Sequence, residues 1–547
     1  MIQDPRIRPD SRLTSADIVA HERSGEWQRR SLRSLLRDAA RAHPERLAAV
    51  GYRNGSASAS ATLTYLEFDE LATRVAAGIR AIGIGSGDVV VVMLPNRIEF
   101  GALIFAINEV GATYSGIPAT YGPREVEQVA RQGHARLAVV EEGPPLDTFR
   151  ALRDRLPALE HVVAVPVGDA APVLEAREQA WEDLLRERAG AASDDPASIC
   201  HIGFTSGTTG TPKGVMNTAQ TLEAILRYWL AHVGGAAALG DPVVNLIASP
   251  IGHHTGFCWG VVLCAYVGGT GIYLDRWQPA VALDVIRERG VTTMFCAPTF
   301  VQDLGEAAPS GFAETSPLEM ITVAGAPVPR SLPDRAGGAL GCLICPAWGM
   351  TEYAIAISWA PSLGREAQQT DGVPVAGARA RVTDPDGQAL PLGSVGELEI
   401  RGAGLFIGYH DRPEENARSF HDGWFRTGDT AVIDDAGRVR LVGRSKDIVI
   451  RGGENIPVVE VESLLFTHPK VRDLAIIGVP DSRLGQRACA VVVPAHGAAP
   501  RLDELCVHLL GQGLSKRFLP ERLEIVPELP KTPSGKIRKV ELRERFS

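Results

Sequence analysis

Three things are scarce in this chain of 547 residues, and each scarcity closes off a class of protein. Long apolar runs are missing. No stretch of ~18 apolar residues occurs, so a membrane-spanning helix is not expected. The longest apolar piece, 257–267, is short, carries Gly260 and reads as a buried helix. Cysteine is sparse, with 8 in the chain. The one C-x-x-C, Cys342 to Cys345, has no second pair at metal-site spacing, and Pro346 follows where a redox motif would open a helix. With Leu343 and Ile344 between its cysteines, it reads as a buried strand. Clustered basic charge is also absent. Lys and Arg number 56 against 65 Asp and Glu, the net charge is −9, and the basic residues are scattered. The basic face that marks a nucleic-acid binder is therefore not expected. Residues 1–12 are polar and lack the apolar stretch of a secretory signal, and the final ERFS matches no lipidation or peroxisomal address. A cytoplasmic location and no membrane partner are the expectation.

What is present is an ordinary globular composition, 45% hydrophobic and 22% charged, in a chain too long for one core. Over the first ~200 residues helical and strand periods alternate. Residues 31–43 and 66–82 place apolar side chains at helical spacing, and Gly83 and Gly85 end the second. Residues 89–94 are continuously apolar before Pro95, as a buried parallel strand would be, and 100–111 and 113–117 read as helix and strand. The same rhythm returns from 243 to 296, so βαβ units and parallel sheets are expected. Residues 56–61, small and polar, read as a loop. From 377 to 443 the pattern changes to short alternating strands with turns such as Asp386-Gly387, a more antiparallel, hairpin-rich unit. A compact α+β tail begins at 460, with strands at 474–479 and 488–493. The expected class is α/β: a large N-terminal domain (1–443) of parallel α/β sheets plus a β-rich subdomain, a hinge (444–447) and a small α+β C-terminal domain (448–547).

The densest chemical signal is FTSGTTGTPKGV at 204–215, following the apolar piece 199–202. A loop of Gly, Ser and Thr lets backbone N–H groups and hydroxyls approach an anion, and Lys213 adds charge. It is not a Walker A loop, which needs Gly directly before the Lys, where Pro212 stands here.

This stretch resembles the phosphate loop of the acyl-adenylate-forming superfamily, which includes acyl- and aryl-CoA ligases, adenylation domains of peptide synthetases and luciferases. The family's other motifs follow in order: PIGH at 250–253, AGAP at 324–327, WGMTE at 348–352, RTGD at 426–429, GRSKD at 443–447, GGEN at 452–455 and PKTPSGK at 530–536. Each is weak alone; the ordered set over almost the whole chain is specific. The resemblance implies a mobile C-terminal domain and an ATP-dependent adenylating enzyme.

It also implies roles residue by residue. Thr205, Ser206, Gly207, Thr208, Thr209 and Lys213 match the β- and γ-phosphate cradle, and Glu352 the residue associated with Mg²⁺. Thr351 matches a hydroxyl near the α-phosphate, Asp429 the acceptor of both ribose hydroxyls, and Arg444 a second ribose contact. Gly325 belongs to the nucleotide site, and Trp348 takes the place of a flat aromatic against adenine, often Tyr in relatives. Lys536 matches a mobile catalytic Lys that bridges the acid's carboxylate and the α-phosphate, and Lys446 the hinge about which the small domain turns. Gly452 and Gly453 would line the thiol tunnel. His253 matches the gate beside the acid pocket, with His254, Thr255, Ala324, Gly325, Ala326 and Gly349 close to the acid.

His254 and Thr255 are polar, where a long fatty-acid tunnel would favour apolar residues. The pieces at 250–257 and 452–460 look most like ligases for cyclic or medium-sized acids of the cyclohexanecarboxylate type, whereas Gly485-Gln486 departs from the Gly-Glu common in relatives. Only eleven residues follow Lys536, with no carrier module, so the thiol acceptor is expected to be CoA or a separate carrier. Transfer to an amine, including diazotase chemistry that activates nitrite for an aryl amine, stays open at this point. So do the acid and the oligomeric state, a homodimer among the options.

Overall fold

A computed structural model describes residues 11, 13–168, 172–187, 190, 194–205, 212–444, 449–451, 454–481, 483–532 and 535–547. Its centre is a pair of sheets flanked by helices. In the first, counted like all the sheets over the described residues, eight strands run from the edge Gly408–Tyr409 through Lys213–Thr218, Ile199–Thr205, Thr113–Gly116, Val89–Met93, Ala135–Glu141 and His161–Val165 to Glu178–Ala180. The continuous apolar run becomes Val89–Met93, buried at every position between two parallel neighbours. Both of its faces are covered, which is why the run does not alternate.

The second sheet has nine strands. Leu343–Met350, Met320–Val323, Thr293–Cys296, Val244–Ile247, Thr270–Leu274 and Leu47–Tyr52 are parallel. Tyr353–Ser358, Val373–Pro374 and Ala59–Thr64 close its edges antiparallel. The last of these corrects the second half of the loop expected at 56–61: 56–58 are irregular, whereas 59–61 belong to the strand. Small polar residues there make an edge strand whose solvent face needs no apolar side chains. The C-x-x-C lies where strand Leu343–Met350 begins, with Cys345 buried.

Helices Leu32–Ala42, Tyr65–Ala81 and Ile98–Glu109 pack into the core beside the first sheet. Thr64 caps the second through a reciprocal box with Glu67, which satisfies backbone donors the helix itself leaves open. Helix Ile98–Glu109 is buried at every position but Glu99, and its apolar residues run all the way round between Phe100 and Ile107. The piece at 257–267 is helical and buried as expected, but its first two turns, Thr255–Val262, are a π-helix that continues as α-helix over Leu263–Val267. The widening has an identifiable cause. Asn245 Nδ2 inserts and donates to the carbonyls of Trp259 (2.8 Å) and Gly260 (3.4 Å). A Cβ at Gly256 would lie 2.3 Å from the Pro250 carbonyl, so only glycine permits the approach at the helix start.

The hairpin-rich region forms a third sheet, Ala378–Thr383, Val395–Gly402, Trp424–Ile433 and Phe420–His421 with Val439–Arg444 on Trp424–Ile433, all antiparallel. The C-terminal unit builds a fourth from Glu454–Ile456, Val449–Arg451, Gly485–Pro494 and Val471–Asp481, with Arg522–Ile525 alongside. Its own core includes Val461, Leu465, Leu474, Ile476, Leu505 and Leu509. It rests on the large domain through polar contacts: the Arg330 N–H donates to Ser463 Oγ at 3.2 Å, and Gln302 Nε2 donates to the Arg472 carbonyl at 2.6 Å. No helix among the described residues is long and apolar enough to cross a membrane.

Phe105 is fully buried and meets Phe68 edge-to-face at 6.0 Å. Phe105→Ala is expected to cost about 3–5 kcal/mol, with Phe105→Leu well below that, read as the fall of the large-domain transition in scanning calorimetry.

Candidate functional site

A cavity of about 890 Å³ lies where the C-terminal unit meets the large domain. Its walls include Gly325, Ala326, Trp348, Gly349, Asp429, Arg444 and Lys536, which come from five separate stretches of sequence.

Asp429 organises one wall. It sits directly opposite Arg444 in the antiparallel register, so both side chains emerge at one place. Arg444 Nε donates to Oδ1 at 2.9 Å, and the indole N–H of Trp348 donates to Oδ2 at 3.0 Å. The indole therefore orients the carboxylate, a contact that a phenol ring at this position would not make in the same way. Gly325, with φ +86°, has open space where a side chain would stand. Gly349 is the opposite case: a Cβ there would lie 1.8 Å from the Ala354 carbonyl, so glycine is required by packing.

The phosphate-loop signal falls between two paired strands. Thr205 faces Lys213 across the ladder, and Thr205 Oγ1 donates to the Lys213 carbonyl at 3.5 Å. Ser206, Gly207, Thr208 and Thr209 lie outside the described residues, as do Lys446 with the rest of 445–448, and Gly452 and Gly453. The Lys213 ammonium pairs with Glu415 and sits 5.0 Å from the centre of the Tyr409 ring.

Glu352 is buried, and the Tyr409 hydroxyl donates to its Oε1 at 2.7 Å. Burial pushes its carboxyl above the usual range, opposed by that hydrogen bond and by the charges of Arg444 and Lys213. A buried carboxylate with this bias takes a cation readily in place of a proton, so the residue fits oxygen ligation of Mg²⁺. Thr351 is half-buried beside the strand that leads into the loop: a Cβ at Gly203 would meet its Cγ2 at 2.9 Å.

Lys536 stands at the cavity on a tight turn. The Thr532 N–H donates to the Lys536 carbonyl at 2.7 Å, and the Lys536 N–H donates to Thr532 Oγ1 at 3.1 Å. Next to it Gly535, with φ +85°, is pressed against the large domain: a Cβ would lie 2.6 Å from Thr299 Oγ1 and 3.0 Å from Ala297 Cβ. The Lys536 charge reaches His253, whose imidazole is pushed down to about 4, first by burial and then by that charge.

His253, His254, Thr255, Ala324, Thr351, Glu352 and Lys213 are not among the cavity's walls. The histidines form a second layer at the start of the π-helix, where the Thr255 N–H donates to His253 Nδ1 at 3.4 Å. Ala324 packs on the main core. His254 is buried beside His201 (ring centres 5.3 Å), and His201 stacks on Phe257 at 4.4 Å. Burial drives His254 down to about 3 and His201 well below its ordinary value. Four contacting residues, Tyr409, Glu415, His201 and Phe257, were not picked out by sequence reading. Nothing in local spacing marks them, since Tyr409 and Glu352 are 57 positions apart and Lys213 and Glu415 are 202 apart.

Residues 36–410 match the family model described as AMP-binding enzyme, and residues 460–536 match the AMP-binding enzyme C-terminal domain. The chain is 31% identical over 536 residues to the medium-chain fatty-acid–CoA ligase of Escherichia coli (strain K12), covering 96% of this chain and 92% of the relative. It is 33% identical over 491 residues to a feruloyl-CoA synthase of Amycolatopsis sp, covering 88% and 94%. Among solved structures, ATP-bound MatB from Rhodopseudomonas palustris superposes with a TM-score of 0.83 at 27% identity, over 95% of this chain and 99% of that one.

The neutral histidines make stability depend on pH. Their folded-state values lie below the ordinary 6.5, so unfolding takes up protons below that pH. The contribution is complete above about 6.5 and is lost as pH falls towards about 4 for His253 and about 3 for His254, at about 1.4 kcal/mol per pH unit for each. The melting temperature is expected to fall between pH 7.5 and pH 5, with a shallower fall in His254→Phe.

Proposed function

The chain belongs to the AMP-binding enzyme family, and from that premise we propose that it is an ATP-dependent ligase that joins a small carboxylic acid to CoA through an acyl-AMP. The observation that carries the reading is the convergence of Trp348, Asp429, Arg444 and Lys536 on one interdomain cavity. A nucleotide and a cationic side chain from the mobile domain can meet there.

In the first half-reaction a carboxylate oxygen attacks the α-phosphorus, the α–β bridging P–O bond breaks and pyrophosphate leaves. Two anions must be brought together, so the site's task is charge neutralisation and in-line positioning. Trp348 offers a ring face to the adenine. Asp429 accepts from the ribose hydroxyls, with Arg444 beside it. Thr205, Lys213 and the loop residues 206–209 cradle the phosphates, and Lys213 exchanges Glu415 for them. Thr351 lies towards the α-phosphate. Glu352, held by Tyr409, would hold Mg²⁺, which would supply positive charge to offset that of the phosphates. Lys536 bridges the carboxylate and the α-phosphate, where charge develops. In the second half-reaction the CoA sulfur attacks the acyl carbon, the acyl–O bond breaks and AMP leaves. That step requires the small domain to turn about Lys446 and present Gly452 and Gly453.

The acid lies at the wall formed by Ala326 and Gly349, with His253, His254, Thr255 and Ala324 in the layer beyond it. Neutral, polar histidines beside a buried aromatic layer favour a compact cyclic or aryl acid over a long alkyl chain.

Pyrophosphate release, measured across aryl, cycloalkyl and fatty acids with and without CoA, is expected to turn over only when one carboxylic acid and CoA are both present. Turnover with nitrite and an aryl amine, indifferent to CoA, would overturn the reading. Lys536→Ala is expected to lower the adenylation rate about 10²- to 10³-fold while thioester formation from supplied acyl-AMP persists. Equal loss of both steps would remove Lys536 from its assigned role.

A further inference from the structure

On the surface of the first sheet, away from the interdomain cavity, three potential metal ligands from distant stretches of sequence converge. His134 follows helix Pro123–Gln132, and His410 and Asp411 follow the edge strand Gly408–Tyr409. His134 Nε2 lies 3.0 Å and His410 Nε2 3.5 Å from the same oxygen, Asp411 Oδ2. All three ligand atoms fall within 4.8 Å of one another.

We propose that His134, His410 and Asp411 form a site for a borderline transition-metal dication such as Zn²⁺. Four ligands at the usual 2.0–2.2 Å from a tetrahedral zinc lie roughly 3.3 Å from each other, and the two measured separations bracket that value. Imidazole nitrogens with a single carboxylate suit zinc and its neighbours, whereas Mg²⁺ prefers an all-oxygen shell. His410 is buried, which fixes one ligand in place, while His134 and Asp411 are exposed and can adjust. Both exposed ligands hold positive φ, +50° and +51°, a conformation that non-glycine residues adopt sparingly. A neighbouring cavity of about 290 Å³, lined in part by Gly87, Gly133, His134 and His410, leaves room for a water as fourth ligand. Asp88 on its wall is already paired with Arg136 at 2.8 Å.

The site would clamp the turn at 133–134 to the strand bearing Tyr409, the residue that holds Glu352. The joint already has a direct tie: Arg412 Nη2 donates to Gln132 Oε1 at 3.2 Å. An ion there would reinforce an existing contact rather than create one.

The test uses the full chain, stripped with chelator and free of nucleotide, and dialysed against Zn²⁺ with Co²⁺ as a visible-absorption probe of coordination. One equivalent of Zn²⁺, tetrahedral Co²⁺ bands and a raised melting temperature are expected. His134→Ala and Asp411→Asn should each weaken binding by at least about tenfold and abolish the thermal shift, whereas Glu352→Gln should leave both intact. Failure of the wild-type chain to bind one equivalent would overturn the proposal. So would binding unchanged in both surface variants, because the ion would then sit elsewhere.

Discussion

The Asp429 carboxylate is the point on which the site's geometry depends. It lies on the third sheet, takes the Trp348 indole N–H from the end of a strand of the second sheet, and takes Arg444 from the last described residue before the segment linking the two domains. A charge in this position is costly unless it is paired and hydrogen-bonded. Both oxygens are engaged, and each retains a lone pair for a further donor, which is what the proposed ribose contact requires. The arrangement follows from strand register: a slip of one residue between Asp429 and Arg444 would turn one of them to the other face of the sheet.

A second constraint is the handling of charge before any nucleotide arrives. Lys213 is held by Glu415 and lies over the Tyr409 ring, while Glu352 is held by the hydroxyl of that same tyrosine. Tyr409 thus touches both a cation and a carboxyl, at the place where triphosphate and Mg²⁺ are proposed to bind. The histidine layer beyond carries no charge, because burial favours the neutral imidazole at each of its three positions. The positive partner proposed for the acid's carboxylate is therefore Lys536, from the other domain.

That supply relies on backbone approach. The turn carrying Lys536 comes close to Ala297 and Thr299, where a Cβ at Gly535 would crowd both, and the other contacts between the domains include hydrogen bonds from Gln302 and Arg330.

Much of this was legible in the sequence. Continuous apolar runs announced parallel strands buried on both faces, alternation after residue 377 announced the antiparallel sheet, and the ordered motifs pointed to the family. These signals are local: periodicity and spacing survive in one dimension. The edge strand Ala59–Thr64 escaped because an exposed edge carries no apolar pattern, and the π-helix because its cause, Asn245, stands ten positions before the helix begins. The partners of the motif residues were decided only by the tertiary structure. Tyr409 for Glu352, Glu415 for Lys213, His201 for His254 and the Trp348 N–H for Asp429 all arise where segments distant in sequence pack side by side. The sequence by itself determined which groups could carry charge and phosphate chemistry. Packing determined which of them meet, because hydrogen bonds and burial act over a few ångströms of space, whatever the separation along the chain.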